Sequence, residues 1–206
     1  MRPHRLRLTA FGSFAGTVEI DLDALSGNGL FLLHGDTGAG KSTLLDAMGF
    51  ALYGRVPGVR NDAKRLRSDY AAPDAHTEVQ LEATLGGRRM RITRSPEYDR
   101  PKKSGTGTTT QKGRVLLEEQ VGGVWTTLST AFREAGDEIA ELVGMSADQF
   151  FQVVLLPQGE FAKFLRADSG DRAKLLEKLF GTGLYRSAEE WLGGRRIATS
   201  RAVEAA

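Results

Sequence analysis

Gly35-Asp36-Thr37-Gly38-Ala39-Gly40-Lys41-Ser42 satisfies the spacing G-x-x-x-x-G-K-[ST] without mismatch. Few short sequences constrain a chain so tightly. The glycines let successive backbone N–H groups turn into one concavity, and a helix starting at the lysine adds its positive end. The flanks supply the context this geometry needs. Gly29–His34 (GLFLLH) is a continuous apolar run, which predicts a strand buried on both faces. Lys41–Tyr53 (KSTLLDAMGFALY) places Leu44, Leu45, Met48, Leu52 and Tyr53 at helical spacing. The combination is a P-loop for the phosphates of a nucleotide, with ATP and Mg²⁺ the expected ligands. Gly35, Thr37, Gly38, Ala39 and Gly40 would line the cradle. Lys41 would reach the β- and γ-phosphates, Ser42 would coordinate Mg²⁺, and Thr43 would donate to the α-phosphate. Asp36 is a variable position of the motif, and His34 reads as a structural residue ending the strand.

The remaining pattern is that of an α/β chain with an antiparallel β portion. Arg5–Leu8 and Thr17–Asp23 alternate polar and apolar residues on either side of a turn holding Gly12, Ser13 and Gly16. Thr77–Leu85 and Arg88–Ser95 alternate around Gly86-Gly87, and Gly113–Gln120 and Val124–Leu128 around Gly122-Gly123, which predicts two hairpins. Pro96–Lys112 lacks apolar periodicity and reads as a mobile loop. Helices are expected after Ser146, over Ser169–Phe180, and from Leu184 onward. The 206 residues are 40% hydrophobic and 26% charged, with a formal charge of +2 and no cysteine. Those values suit a globular cytoplasmic protein and exclude disulfides and thiolate metal sites. No run of apolar residues is long enough for a membrane helix.

Hydrolysis needs more than a cradle. It calls for a carboxylate at the end of an apolar strand, usually beside a second one. Val115–Glu119 (VLLEE) imitates this, but it has no aspartate and falls within a hairpin, so Glu118 and Glu119 read as solvated charges. Asp137-Glu138 lies in a helical stretch. Arg88, Arg89 and Arg91 on the first hairpin, with Lys102 and Lys103 in the following loop, form the one candidate basic surface for DNA phosphates, without interleaved aromatics for base stacking.

Four segments together resemble a known family. They are RLRLTAFGSFAGTVEIDLDAL (Arg5–Leu25), NGLFLLHGDTGAGKSTLLDAMGFALYG (Asn28–Gly54), FFQVVLLPQGEFAKFL (Phe150–Leu165) and DRAKLLEKLFGTGLY (Asp171–Tyr185). The chain resembles the N-terminal half of the ABC-type ATPase head of SbcC, an SMC-like DNA-repair ATPase. The resemblance implies an N-terminal lobe over 1–183 and, over 184–206, a helix leading into a coiled coil. It implies that Gln158 belongs to a Q-loop near Mg²⁺ and the attacking water, and that Ser13 lies near the nucleotide phosphates. Relatives among archaea and eukaryotes often carry an arginine where this chain has Gly12. The resemblance further implies a Walker B and signature motif supplied by a C-terminal segment of the same protein. It also implies an ATP-dependent dimer with a second copy of the head, an SbcD-type nuclease partner and double-stranded DNA, with no membrane partner. Leu25-Ser26-Gly27-Asn28-Gly29 imitates a signature motif but precedes the P-loop and reads as a turn. A transporter-type ATPase subunit and an SMC-type structural clamp are the competing readings.

Overall fold

The computed structural model describes residues 1–25, 27, 29–57, 66–102, 106–155, 168–170, 176 and 183–204. Two compact units divide the chain, Met1–Ala147 and Asp148–Ala206.

The first unit is built on a six-stranded sheet. Its strands are β1 (Arg2–Phe11), β2 (Phe14–Asp21), β3 (Glu78–Leu85), β4 (Arg88–Ser95), β7 (Arg114–Val121) and β8 (Val124–Ser129), in the order β2-β1-β3-β4-β7-β8. Every pairing is antiparallel. The expected hairpins are present. Gly86 (φ 54°) and Gly87 (φ 82°) turn β3 into β4, and Gly122 (φ 59°) and Gly123 (φ 86°) turn β7 into β8. Two consecutive positive φ values match the right-handed twist of the strands they join, and glycine adopts them without a Cβ clash.

Strict alternation gives the sheet two different faces. Leu6, Leu8, Val79, Leu81, Ala83, Leu85, Met90, Ile92 and Leu117 are buried on one of them. Against that face pack α2 (Lys41–Tyr53) and α3 (Phe132–Val143), which also touch each other. The short α1 (Leu22–Leu25) follows β2 and leans on β1. Helix α2 contributes Ala47, Phe50, Ala51 and Leu52, and Phe50 meets Phe11 with ring centroids 5.6 Å apart. Each large side chain so buried stabilises the fold by about 1.5–3 kcal/mol before entropy is subtracted. The expected stripe on α2 was only partly the buried one: Leu45 is exposed, whereas Phe50 and Ala51 are inside. The helix is apolar nearly all round, so spacing alone could not choose its buried side.

Two segments differ from expectation. Gly29–His34 makes no ladder: Leu30 is 89% and Leu32 85% exposed, and His34 is exposed. Its composition suits a central strand, but no described strand pairs with it. Pro96–Lys112, expected as an irregular loop, carries a two-stranded ribbon of β5 (Tyr98–Pro101) and β6 (Thr108–Gln111). Tyr98 is buried, its hydroxyl 3.0 Å from His76 Nδ1 and its ring beneath the Arg67 guanidinium. One buried aromatic anchors a segment otherwise too polar to order itself.

Helix α4 (Ala147–Val153) starts directly after Ser146, at the boundary between the units, and in the second unit a long helix, here α5, spans Gly183–Glu204. Its exposed side chains include Tyr185, Trp191, Leu192 and Ile197. The expected helix over Ser169–Phe180 falls largely outside the described residues. Among the described residues no helix is long and apolar enough to cross a membrane.

The C-terminal end of α2 is fastened by polar groups. Gly54 closes it in the left-handed conformation, its N–H bonded to Phe50 O. Arg94 reaches under it to donate to Ala51 O at 2.7 Å and Leu52 O at 3.2 Å, and burial lowers its pKa to about 10. Tyr53 donates to Met145 O at 3.1 Å, and burial pushes its phenol up to about 12. The neutral phenol is therefore favoured by folding. Its contribution is present below pH 10, the ordinary tyrosine value, and is lost as pH rises toward 12. Tyr53→Phe should cost about 1 kcal/mol at neutral pH for the lost hydrogen bond. Between pH 10 and 12 the variant should lose less stability than the parent, as read by urea denaturation at each pH.

Candidate phosphate-binding site

The P-loop stands where the sequence places it, leading directly into α2. Gly38 (φ 89°) and Gly40 (φ 93°) both occupy the left-handed region, so a side chain at either would be strained. Ala39 N–H bonds back to Asp36 O at 3.2 Å, tightening the loop. Gly40 caps α2 without any side-chain bond, and the first turn carries no acidic residue. The positive end of the helix is thus uncompensated by the protein, which suits an anionic group. Lys41 folds over the loop, its Nζ donating to Gly35 O and Asp36 O at 2.6 Å each. Gly35, Thr37, Gly38, Ala39 and Ser42 are exposed, and Gly40 is buried.

What buries Gly40 is the tip between β1 and β2. A Cβ built on Gly40 would lie 2.5 Å from Phe14 Cζ and 2.8 Å from Ser13 Oγ. A Cβ on Gly12 (φ 56°) would lie 2.5 Å from Thr43 Cγ2. Ser13 Oγ and Thr43 Oγ1 are 3.1 Å apart, within hydrogen-bonding distance. Two glycines far apart in the chain therefore let a hairpin tip settle onto the first turn of α2. Ser13, Gly40 and Thr43, all singled out in the sequence, are brought together. Sequence reasoning missed Phe14, and nothing local links residue 14 to residue 40.

The tip is aimed by an irregularity in β1. The register shifts between Thr9 and Phe11, and Ala10 between them takes φ 51°, the one positive φ outside glycine among the described residues. Such a conformation costs about 1–2 kcal/mol. Backbone bonds offset it: Ser68 N–H donates to Ala10 O at 2.9 Å, and Gly12 N–H to Leu66 O at 2.8 Å. Arg67 holds that strap by donating to Ala72 O, Ala75 O and Thr77 Oγ1.

Other sequence candidates fare differently. Gln158 and Lys103 lie outside the described residues. Lys102 is exposed at the end of β5. Arg88, Arg89 and Arg91 are each committed to carboxylates. Arg88 makes a bidentate bond to Glu119 at 2.7 and 2.8 Å and also pairs with Glu138 on α3. Arg89 meets Glu82 at 3.1 Å. Arg91 grips Glu118 at 2.7 and 2.8 Å and lies over the Trp125 ring. The hydrogen bonds from Arg88 hold the Glu119 carboxyl below the usual carboxylate range. The pairing weighs against these arginines as DNA contacts. It also shows that Glu118, which is buried, and Glu119 are sheet ion-pair partners and not the solvated charges expected. Among the described residues no group of three or more His, Cys, Asp or Glu is placed to hold a metal.

A family profile described as an AAA domain matches residues 5–189. The chain is 42% identical over 204 residues to the SbcC subunit of the SbcCD nuclease of Vibrio cholerae, covering 99% of this chain and 20% of that protein. Proteins of the same name from Lactococcus lactis and Treponema pallidum are 38% and 37% identical, covering 91% and 92% of this chain and 18% of each relative. The chain thus spans about a fifth of these relatives' length and matches their N-terminal part.

The tip contact makes a direct forecast. Gly12→Ala should destabilise the chain by about 1–3 kcal/mol, through overpacking on Thr43 and a strained φ. Adding Thr43→Ser removes Cγ2 and should recover part of that loss in chemical denaturation.

Proposed function

The chain belongs to the AAA domain family, and from that premise we propose that it is the ATP-binding part of the head of an SbcC-like ATPase. The observation that carries the reading is the phosphate cradle itself: two left-handed glycines, an uncapped helix start and a lysine poised over the loop. Backbone N–H groups of the loop and the start of α2 would hold the β-phosphate. Lys41 would exchange its two carbonyl partners for phosphoryl oxygens, and hydroxyls would come from Ser13 on the facing tip and from Thr43 on the first turn of α2. Ser42 would hold Mg²⁺, which keeps most of its ligands as water and phosphate oxygens and so needs no acidic cluster here. When bound, that ion neutralises charge on the transferred phosphoryl group.

Turnover requires a carboxylate at the end of an apolar strand, and the one carboxylate within the loop, Asp36, is an exposed variable position of the motif. We assign the required carboxylate to a C-terminal segment of the same protein, which would also bring the signature motif. The exposed apolar run Leu30–Leu32 supports this, since its composition suits a strand and its sides lie open. The complete protein would pair two heads around ATP, act with an SbcD-type nuclease on double-stranded DNA ends, and work in the cytoplasm. Opening and closing of the heads would gate DNA access. The names of the relatives, which describe part of a nuclease, favour this over a transporter ATPase or a structural clamp.

Lys41→Ala should weaken ATP binding by about 10–100-fold, the worth of one or two charge-assisted bonds, with little change in melting temperature. Unchanged affinity in calorimetry would remove Lys41 from the site. Gln158→Ala in the full-length protein should lower kcat by roughly 10–1000-fold while leaving nucleotide affinity near that of the parent, because a water-positioning group acts mainly in the transition state. Steady-state kinetics beside equilibrium binding separates the two, and a collapse of affinity with intact kcat would make Gln158 a binding residue instead.

A further inference from the structure

The cradle depends on Gly40 keeping a conformation that its neighbours must enforce. Within the loop the local bonds are Ala39 N–H to Asp36 O and Lys41 Nζ to Gly35 O and Asp36 O, and none of them fills the space over the Gly40 Cα. The rest comes from across the contact. Gly40 is buried beneath Phe14, whose Cζ and Cε2 would lie 2.5 and 2.8 Å from a Cβ at that position. Phe14 itself pairs with Phe11 across the tight tip of β1 and β2 and is only half-buried, so little of the core rests on it. Its backbone is fixed through the tip: Gly12 is tied to Leu66 and pressed on Thr43, and Ser13 reaches Thr43.

We infer that Phe14 is a positioning residue for phosphate binding: the edge of its ring holds Gly40 in the left-handed conformation that turns the loop N–H groups toward a phosphate. The inference rests on the nucleotide-binding reading above. The Phe14 ring carries no group that would bond a phosphate; it acts through Gly40. An aromatic ring suits the task because it is flat and rigid, so it fills the space over a glycine Cα without demanding room for a branched side chain. The amides it orders would face the β-phosphate, a group shared by ADP and ATP. Loss of the ring should therefore weaken both nucleotides by a similar factor.

The test uses Phe14→Leu in the full-length protein, which keeps an apolar side chain in β2 but removes the ring edge that meets Gly40. Titrations with fluorescent ADP and ATP analogues should give affinities about tenfold weaker for both, a loss of about 1.4 kcal/mol, with the melting temperature close to that of the parent. A second measurement isolates the contact. Gly40→Ala forces a Cβ into the ring, so in that background Phe14→Leu should raise stability in urea denaturation, whereas in the parent it changes stability little. Parent-like affinity for Phe14→Leu, beside lost affinity for Lys41→Ala, would overturn the positioning role. So would an absence of relief in the Gly40→Ala background. If the parent and Lys41→Ala bind neither nucleotide, the phosphate-cradle reading itself fails and the inference goes with it.

Discussion

The close approach of the β1–β2 tip to the first turn of α2 is the contact on which the arrangement of the site depends. An α-helix that begins in a glycine-rich loop has few bonds of its own to fix the loop's shape, here one backbone bond and the lysine on two carbonyls. Here the loop is held from outside, by Phe14 and Ser13 over Gly40 and by Thr43 under Gly12. Side chains at residues 12 or 40 would push the two elements apart. The bulge at Ala10 and the strap Leu66–Ser68 then decide where the tip points. The strain of one left-handed alanine is small beside the backbone bonds that surround it. The other end of α2 is fixed as firmly, by Gly54, Arg94 and Tyr53, so the helix carrying Lys41 is held at both ends.

Charge is used inside the first unit more than displayed by it. The sheet face opposite the helices sets Arg5 against Glu19, Arg89 against Glu82, and Arg91 against Glu118. On the helix side, Arg88 joins Glu119 of β7 to Glu138 of α3. These pairs match strands in register and add specificity more than net stability, because partly exposed ion pairs contribute little once solvent screening is counted. A hairpin rich in arginine in the sequence is therefore close to neutral in the fold. Sequence spacing could not reveal this, since the glutamates that neutralise the arginines come from β3, β7 and α3.

The apolar segment before the P-loop makes the opposite point. Leu30, Phe31 and Leu32 are arranged as a buried strand would be, yet the described residues leave them open. Composition reports what environment a segment suits, and pairing depends on which strands lie beside it. The same limit applied to Pro96–Lys112, where low apolar content pointed to an irregular loop. Tyr98 is the exception within it, and its burial beside His76 and Arg67 orders a short ribbon.

The amino-acid sequence by itself determined the P-loop, both glycine hairpins, the start of α2 and the family. Each is written in contiguous residues, where local backbone geometry and period-two or helical spacing act directly. It also singled out Ser13, Gly40, Lys41 and Thr43, though only as members of motifs. The tertiary structure alone decided that Gly12 and Gly40 face Thr43 and Phe14, that the arginines are neutralised, and which side of α2 is buried. These are contacts between residues far apart in the chain. They follow from strand register and from a bulge that turns one hairpin tip toward a helix, and no local pattern encodes where such a tip will land.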